Sequence, residues 1–450
     1  MKKAIIILLF SLTIVPCMGF GAEYSLEDLY RIALERSETV KISLEDLYIS
    51  ERQKDRAMAV LMPKLTAFGG HTRYSREIHS NTTVLQPDYT NDWGVRLDQS
   101  VSLSGKELTA FRIAKEGIEK SMHDLEAVRE DYLLTVASSY YTLLKSRKAR
   151  DIADANVERL TRHRNASEIR LKVGEVTKTV LLRAEAELAG AQSELIRADN
   201  GLRLAKAVLA RTVGIPGPVE IKEHQPDKDL VTREQELMDI LTVDCRLSTT
   251  ECLKQKAFSE RAEIKTVTIQ KQIAEDEVKY TKGSYWPDLS VEGVYLRQEN
   301  TPSTATGLNE RMYGALKLNF PFFEGGLRVA EVGQARARAR QADLGLTDLK
   351  NSVGVEVEDA YLNLLTMSSV IDKLQAESEY AADNYNSITK QFQYGLADSI
   401  DVIDANTLLV TSERELANAR YDYELAILKL KRATGTLLRT VVAQQKEQTP

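Results

Sequence analysis

The sequence predicts a mainly α-helical protein with a transmembrane β part, in which long coiled-coil helices are combined with four β-strands per protomer. Three observations predict this fold class. The ten prolines leave residues 88–215 and 322–449 free of the residue that most surely breaks a helix. These two stretches match in one ungapped register, offset by 221 residues, which marks an internal duplication. Between Pro63 and Gly105, and again between Pro287 and Gly326, the helical period gives way to alternating runs, which predict strands.

The composition favours extended helices over several compact domains. Of the 450 residues, 43% are hydrophobic but only 6% are aromatic. The formal net charge is -6 and basic residues are spread along the helices, so we expect no nucleic-acid partner. The chain shows no nucleophile motif, phosphate loop or metal-ligand spacing, so we expect no catalytic, cofactor or metal site. We interpret the five histidines as surface or strand residues: His71, His79, His123, His163 and His224.

The first 21 residues have the pattern of an export signal. A basic start and an apolar run precede small residues at a cleavage site, so the mature chain should begin near Ala22. Cys17 raises a lipoprotein alternative, which Pro16 disfavours because a small residue belongs there. After Ala22 no apolar run reaches the roughly 18 residues of a spanning helix, so any span must use strands.

Each proline-free stretch predicts a long helix. These helices run from about Lys106 to Leu171 and from about Leu327 to Phe392. At 1.5 Å per residue each makes a rod of about 100 Å, far longer than a compact domain requires. Shorter helices, Leu26–Leu61 and about Glu251–Tyr285, precede the two copies.

Heptads after each rod predict a coiled coil. Residues 181–209 carry a leucine every seventh position with a small residue three places later, and residues 402–430 repeat this spacing. A strict seven-residue repeat holds a helix against its partner by left-handed supercoiling. Gly174 and Gly395 reverse the chain between rod and heptads. A fibrous scaffold would show the same heptads, so they do not determine function.

Four strands of about ten residues are predicted: Leu65–Tyr74, Trp93–Leu103, Leu289–Arg297 and Tyr313–Phe322. Four strands cannot close a barrel, and an open edge in lipid leaves backbone groups unsatisfied. Closure must therefore occur between protomers. Two copies would give eight strands and a filled interior, whereas three give twelve strands and a lumen, so we favour a homotrimer. An aromatic girdle is expected at Tyr74, Trp93, Tyr295 and Tyr313.

The predicted domain organisation follows the duplication. We expect a signal peptide at residues 1–21, a first structural repeat at 22–216, an equatorial linker at 217–250, a second repeat at 251–438 and a C-terminal tail at 439–450.

Three glycines and two cysteines have predicted roles in turns and loops. Gly105, Gly325 and Gly326 are expected at the turns from strand to helix. Cys245 and Cys252 form a possible disulfide. On one straight helix they would lie about 10 Å apart, so a bond between them implies a loop.

The chain resembles the outer-membrane efflux protein family from residue 24 to residue 438. The most specific motifs are LNFPFFEGG at 318–326, YGLADSIDVIDA at 394–405 and ELANARYDYELAILKL at 415–430. The resemblance implies a trimeric channel-tunnel, with a twelve-stranded barrel in the outer membrane of a Gram-negative bacterium and a helical tunnel in the periplasm. It implies passive exit of small molecules or proteins from a tripartite efflux pump or a type I secretion system. The implied partners are a periplasmic adaptor (membrane fusion protein), an inner-membrane pump of RND or ABC type, and outer-membrane lipid.

The resemblance also implies site residues. It places pore-entrance carboxylates at Asp401 and Asp404, which share one helix face. It places adaptor contacts at two hairpin tips, Val173-Gly174-Glu175 and Tyr394-Gly395-Leu396. The alternative for the two aspartates is a solvated helix face.

This chain departs from the family pattern at two positions. Ala397 stands where an arginine would help to latch the closed entrance, and Val180 stands where its acidic partner is expected. Closure must then use other contacts. The alternative function is a soluble periplasmic coiled-coil adaptor or scaffold, which would not need amphipathic strands.

Overall fold

The computed structural model describes residues 23–81, 83–217, 219–222, 249–303 and 309–447. In the first half of the chain the elements are β1 Glu23–Tyr24, α1 Leu26–Arg36, α2 Glu38–Val60, β2 Lys64–Arg73, β3 Ile78–Ser80, β4 Thr83–Gln86, β5 Tyr89–Ser102, α3 Lys106–Lys172, α4 Lys178–Val213 and β6 Glu220–Ile221. In the second half they are α5 Thr249–Glu260, α6 Ala262–Gly283, β7 Asp288–Thr301, β8 Glu310–Asn319, α7 Leu327–Gln393, α8 Ser399–Ala433 and α9 Leu437–Glu447.

Two equal rods dominate the molecule. Helices α3 and α7 each contain 67 residues, as the sequence predicted, and they begin and end at positions offset by 221. Gly105 and Gly326 precede them with φ of 69° and 87°, and Gly325 has φ of 61°. The left-handed conformation at these positions lets the chain pass from the strand into the helix. Glycine adopts it without the steric strain that other residues would have.

The two shorter predicted helices are each broken, so the prediction of continuous helices is wrong. Ser37 separates α1 from α2 with ψ of 125°, and its side chain accepts a hydrogen bond of 3.3 Å from the Val40 N–H. Arg261 separates α5 from α6 with ψ of 127°, and its guanidinium binds Glu263 and Glu356. In both places local side-chain bonds compensate for the interrupted helix.

The four long strands form one antiparallel sheet in the order β2-β5-β7-β8. The last strand ends at Asn319 rather than at the predicted Phe322. Pro321 follows, and proline has no N–H to donate to a ladder. Within the described residues, β2 and β8 each pair with one neighbour only and are the edges of the sheet.

The pairing register separates the sheet into an apolar and a polar face. Because side chains alternate, Leu97, Tyr295 and Met312 fall on one face, whereas Asp98, Glu292 and Lys317 fall on the other. The apolar face carries Leu65, Ala67, Trp93, Val95, Leu97, Val101, Leu289, Val291, Tyr295, Met312, Leu316 and Leu318.

Two of the four expected girdle tyrosines and tryptophans lie on this apolar face. The rings of Trp93 and Tyr295 are 6.0 Å apart in an edge contact. Tyr313 was predicted wrongly, since its register places it on the polar face, where its hydroxyl donates to Glu292 at 3.3 Å. Tyr74 lies one residue beyond β2.

The cores lie along the helices. One cluster surrounds Leu29, Leu133 and Leu209, and a second surrounds Val357, Leu364 and Tyr423. The predicted heptad positions supply many buried residues: Ala184, Ala191, Ala205, Leu209, Val402, Ala405, Leu409, Ser412, Ala419, Tyr423, Ala426, Leu430 and Ala433. The coiled-coil prediction is therefore confirmed.

A charge cluster joins four helices between the two cores. Arg432 of α8 donates to Asp131 of α3 at 2.8 Å and also binds Glu263 of α6. Arg261 binds Glu263 at 3.2 Å and also binds Glu356 of α7. Only 6% of the Arg432 side chain is exposed. Burial alone would raise the pKa of Glu263, but the hydrogen bond from Arg261 and the charges of Arg432 and Arg261 hold it at about 2.

Some sequence predictions fall on residues that the structure does not describe. These are the signal segment with Cys17 and most of the predicted linker 217–250, which includes His224 and Cys245. Cys252 is disulfide-bonded, which leaves its pairing with Cys245 a prediction. Among the described residues, no helix combines the length and apolarity that a membrane crossing requires.

Candidate functional site

The two hairpin tips are built on glycines in the left-handed conformation. Gly174 ends the turn after α3 with φ of 80°, and Gly395 does the same after α7 with φ of 72°. In each tip the residue after the glycine donates its backbone N–H to a carbonyl of the preceding helix. The Glu175 N–H donates to the Arg170 carbonyl at 2.9 Å, and the Leu396 N–H donates to the Gln391 carbonyl at 2.9 Å. These bonds satisfy carbonyls that a helix end otherwise leaves open.

The tips carry exposed apolar side chains. Val173 is 65% exposed, Tyr394 80% and Leu396 78%. Large apolar groups left in solvent at the end of a rod are typical of an interaction surface. The six residues predicted for partner contact therefore lie at the ends of the two helical hairpins, and the structure places the two ends beside each other.

Arg170 connects the two tips. Its Nη1 donates to the Phe392 carbonyl at 2.9 Å, and its Nε donates to Glu175 at 3.0 Å. The guanidinium carbon also lies 4.7 Å from the centre of the Phe392 ring. One arginine thus binds its own tip and the last turn of α7. The sequence analysis did not single out this residue.

Further polar contacts continue this connection along α3, and we call them the inter-hairpin seam. Arg159 donates to Asn406 at 3.0 Å and to Glu413 at 3.3 Å, and Asn406 donates to Asn156 at 2.7 Å. The seam residues on α3 are Asn156, Arg159, His163 and Arg170, which contact the second hairpin, and Ser167, which lies buried between them and donates to the His163 carbonyl. They recur every three or four positions, the spacing of one helix face, and this is the signal that could have identified them.

His163 was predicted as a surface or strand residue, and this is wrong. It is 6% exposed, and its Nε2 lies 2.9 Å from the Ser399 Oγ at the start of α8. Its ring centre lies 5.0 Å from that of Phe392. Burial lowers the pKa of His163 below its ordinary value of 6.5.

Asp401 and Asp404 lie in the first turns of α8, and both are exposed. Asp401 has a local structural role in addition, since its Oδ2 accepts the Asp398 N–H at 2.9 Å. Val180 occupies the equivalent place in α4 and provides no carboxylate there. No group of three or more potential metal ligands occurs among the described residues.

Exposed aromatic side chains lie at the junction between sheet and helices. Phe322 is 87% exposed and Phe323 81%, in the connection from β8 to α7, and Trp286 is 58% exposed two residues before β7. The predicted girdle did not include these residues, although FPFF in the sequence was a direct signal. Rings at such a boundary suit an interface between hydrocarbon and water.

Comparison with known proteins identifies a family. The model of the family described as outer membrane efflux protein matches residues 29–214 and 253–436. Outer membrane protein TolC of Escherichia coli strain K12 is 22% identical over 451 residues, covering 97% of this chain and 87% of that protein. The alkaline protease secretion protein AprF of Pseudomonas aeruginosa is 22% identical over 422 residues, covering 91% and 84%.

Solved structures show the same fold. The outer membrane protein VceC of Vibrio cholerae superposes with a TM-score of 0.75 at 19% identity, covering 91% of this chain and 96% of that one. The CmeC outer membrane channel of Campylobacter jejuni superposes with a TM-score of 0.78 at 17% identity, covering 94% and 88%.

Proposed function

Because the chain belongs to the outer membrane efflux protein family, we propose that this outer-membrane channel is the passive exit duct of a tripartite efflux pump or a type I secretion system. A duct of this kind needs a route through the membrane, a periplasmic extension and a docking end. The described residues supply a candidate for each: the four-stranded sheet, the two 67-residue rods and the paired hairpin tips.

The four-stranded sheet is the observation that supports this proposal most directly. It has one apolar face for lipid and one polar face for a lumen, and within the described part of the chain its edge strands β2 and β8 each pair on one side only. In hydrocarbon each unsatisfied group costs several kcal/mol, so the edges must pair with other copies of the chain. Three copies supply twelve strands, enough to enclose water, which four or eight strands do not.

The tips are the proposed docking end for a periplasmic adaptor. Val173, Tyr394 and Leu396 offer apolar contact area, and Arg170 fixes the two tips relative to each other. A partner can then bind a preorganised surface and avoid the entropic cost of ordering two separate hairpins.

The test of the duct is export from cells. A strain that lacks this protein should accumulate a fluorescent pump substrate, and plasmid-borne protein should restore its release. The protein should be recovered from the outer membrane only with detergent. Recovery in the buffer-soluble periplasmic fraction would instead support the adaptor alternative.

The entrance is the second part of the proposal. Asp401 and Asp404 of three protomers would place six carboxylates around one mouth, concentrating cations there. Both side chains are exposed and available for this role.

We expect Asp401→Asn combined with Asp404→Asn to reduce cation preference and block by multivalent cations in planar-bilayer recordings. Asparagine removes the charge but keeps an oxygen that can accept the Asp398 N–H, so the start of α8 should survive. Asp348→Asn combined with Asp359→Asn is the matched control, since it removes two exposed carboxylates from α7 and leaves the first turns of α8 unchanged. Unchanged selectivity and unchanged block in the double variant would show that the two aspartates are a solvated helix face.

A further inference from the structure

The inter-hairpin seam contains a buried group that can gain a positive charge in acid. His163 contacts the second hairpin in two ways, through the Ser399 hydroxyl at 2.9 Å and through the Phe392 ring at 5.0 Å. The partner hydroxyl is buried as well, since Ser399 is 5% exposed. Ser167, one turn along α3, is fully buried and donates to the His163 carbonyl at 3.0 Å.

The charged seam residues of α3 on either side of His163 are cations. The nearby acidic residues of the same helix, Glu158 and Glu168, are already bound by Arg162, Arg164 and Lys172. Arg159 lies four residues before it and Arg170 seven residues after it, which places all three on one helix face. Arg159 is already bound to Asn406 and Glu413, and Arg170 is bound to Glu175 and the Phe392 carbonyl. A third positive charge on this face would be repelled by the other two.

Among the described residues, the carboxylates of the packed helices are not ion-pair partners of His163. At the start of α8 the acidic residues next to Ser399 in the chain are Asp398 and Asp401, both exposed, and Asp401 accepts the Asp398 N–H. On α7 the charged residue next to Phe392 in the chain is Lys390, another cation. On the α4 side Glu185 is bound by Arg164 at 3.2 Å. Among the described residues, no ion pair to His163 occurs.

The direction of the pH effect follows from burial. Because burial lowers the pKa of His163, the folded seam favours neutral imidazole. The stabilisation is complete above the ordinary histidine value of about 6.5 and is lost as pH falls from there through the lower folded-state pKa. Acid therefore weakens the contact between α3 and the second hairpin.

We propose that His163 is an acid-responsive contact that holds the two hairpins together at neutral pH and releases them when it binds a proton, which widens the periplasmic end of the channel. Widening rests on the proposed duct function, because it supposes that α8 lines the mouth. Release of the seam itself does not depend on that function.

The first test measures current through the purified wild-type protein in planar bilayers, with pH on the helical side lowered from 7.5 to 5.0. Conductance of the wild type should rise as pH falls. His163→Gln should lose this rise, since glutamine can still hydrogen-bond to Ser399 but cannot gain a charge. The matched control is His123→Gln on the same helix, where the ring binds Glu126 at 2.8 Å outside the seam, and this variant should keep the rise. An equal response in wild type and His163→Gln would overturn the proposal.

A second measurement separates the seam from the duct. Amide hydrogen exchange of residues 163–173 and 390–400, corrected for its intrinsic pH dependence, should accelerate between pH 7.5 and 5.0 in the wild type but not in His163→Gln. If no current is seen at any pH while exchange shows this difference, the duct assignment fails and the acid-responsive seam stands. If exchange does not differ between the two proteins, the seam proposal is wrong even for a conducting channel.

Discussion

Replacing Arg432 with methionine is expected to destabilise the folded protein by about 1.5–3 kcal/mol, the usual contribution of hydrogen bonds to charged groups. The variant leaves Asp131 without its 2.8 Å partner and removes one of the two cations on Glu263. Because methionine fills a similar volume, the change in unfolding free energy should result mainly from the lost charge and not from a cavity. The measurement is equilibrium unfolding of the detergent-solubilised protein by denaturant.

The control is Arg439→Met in α9. The Arg439 side chain is 62% exposed and its contact with Glu260 is 3.6 Å, so its loss should change the unfolding free energy little. Similar unfolding curves for the Arg432 and Arg439 variants would contradict a stabilising role of the charge cluster.

The pH dependence of the unfolding free energy should show the contribution of the same charge cluster. A carboxyl held at a pKa of about 2 contributes stability that is complete above its ordinary value of 4.5 and is lost as pH falls from there to about 2. Removing Arg432 should raise the pKa of Glu263 and reduce this acid-dependent component. Unfolding curves of the wild type and Arg432→Met should therefore converge as pH falls through this range.

Valine at both tip glycines is expected to abolish export. Gly174 and Gly395 have φ of 80° and 72°, a region in which a β-branched residue costs about 1–3 kcal/mol each. A Cβ at Gly174 would meet nothing within 4 Å, so the loss there would be caused by the backbone and not by a clash. Accumulation of a fluorescent pump substrate should reach the level of the strain without the channel.

The matched control is Gly190→Val in α4. A Cβ there also meets nothing within 4 Å, but this glycine has no left-handed φ. Export should persist in this variant. Normal export by the double tip variant, at equal protein level in the outer membrane, would show that the tips do not need their left-handed turns.

The long elements were predictable because their signals repeat. Helices α3 and α7 follow from missing prolines and a constant offset, and their ends agree with the predicted bounds within a residue. The breaks at Ser37 and Arg261 were not predicted, because a helical period continues across both positions. At both breaks single side chains provide the compensating bonds, and periodicity does not record such bonds.

The candidate site was predictable only in part. Glycine at each tip identified the reversals, since few other residues accept positive φ. The contacts that join the tips were missed because Arg170 and Phe392 are 222 residues apart, and only the fold brings them together. His163 was assigned to the surface for the same reason, since its burial depends on the second hairpin and not on its neighbours in sequence.

The central claim is that the open sheet edges β2 and β8 close between three copies of the chain. Native mass spectrometry of the detergent-extracted protein, combined with circular dichroism of the same sample, tests this most directly. The account predicts a mass of three chains together with full strand content. A stable single chain that keeps all four strands would contradict it, because its two edges would then be tolerated without partners.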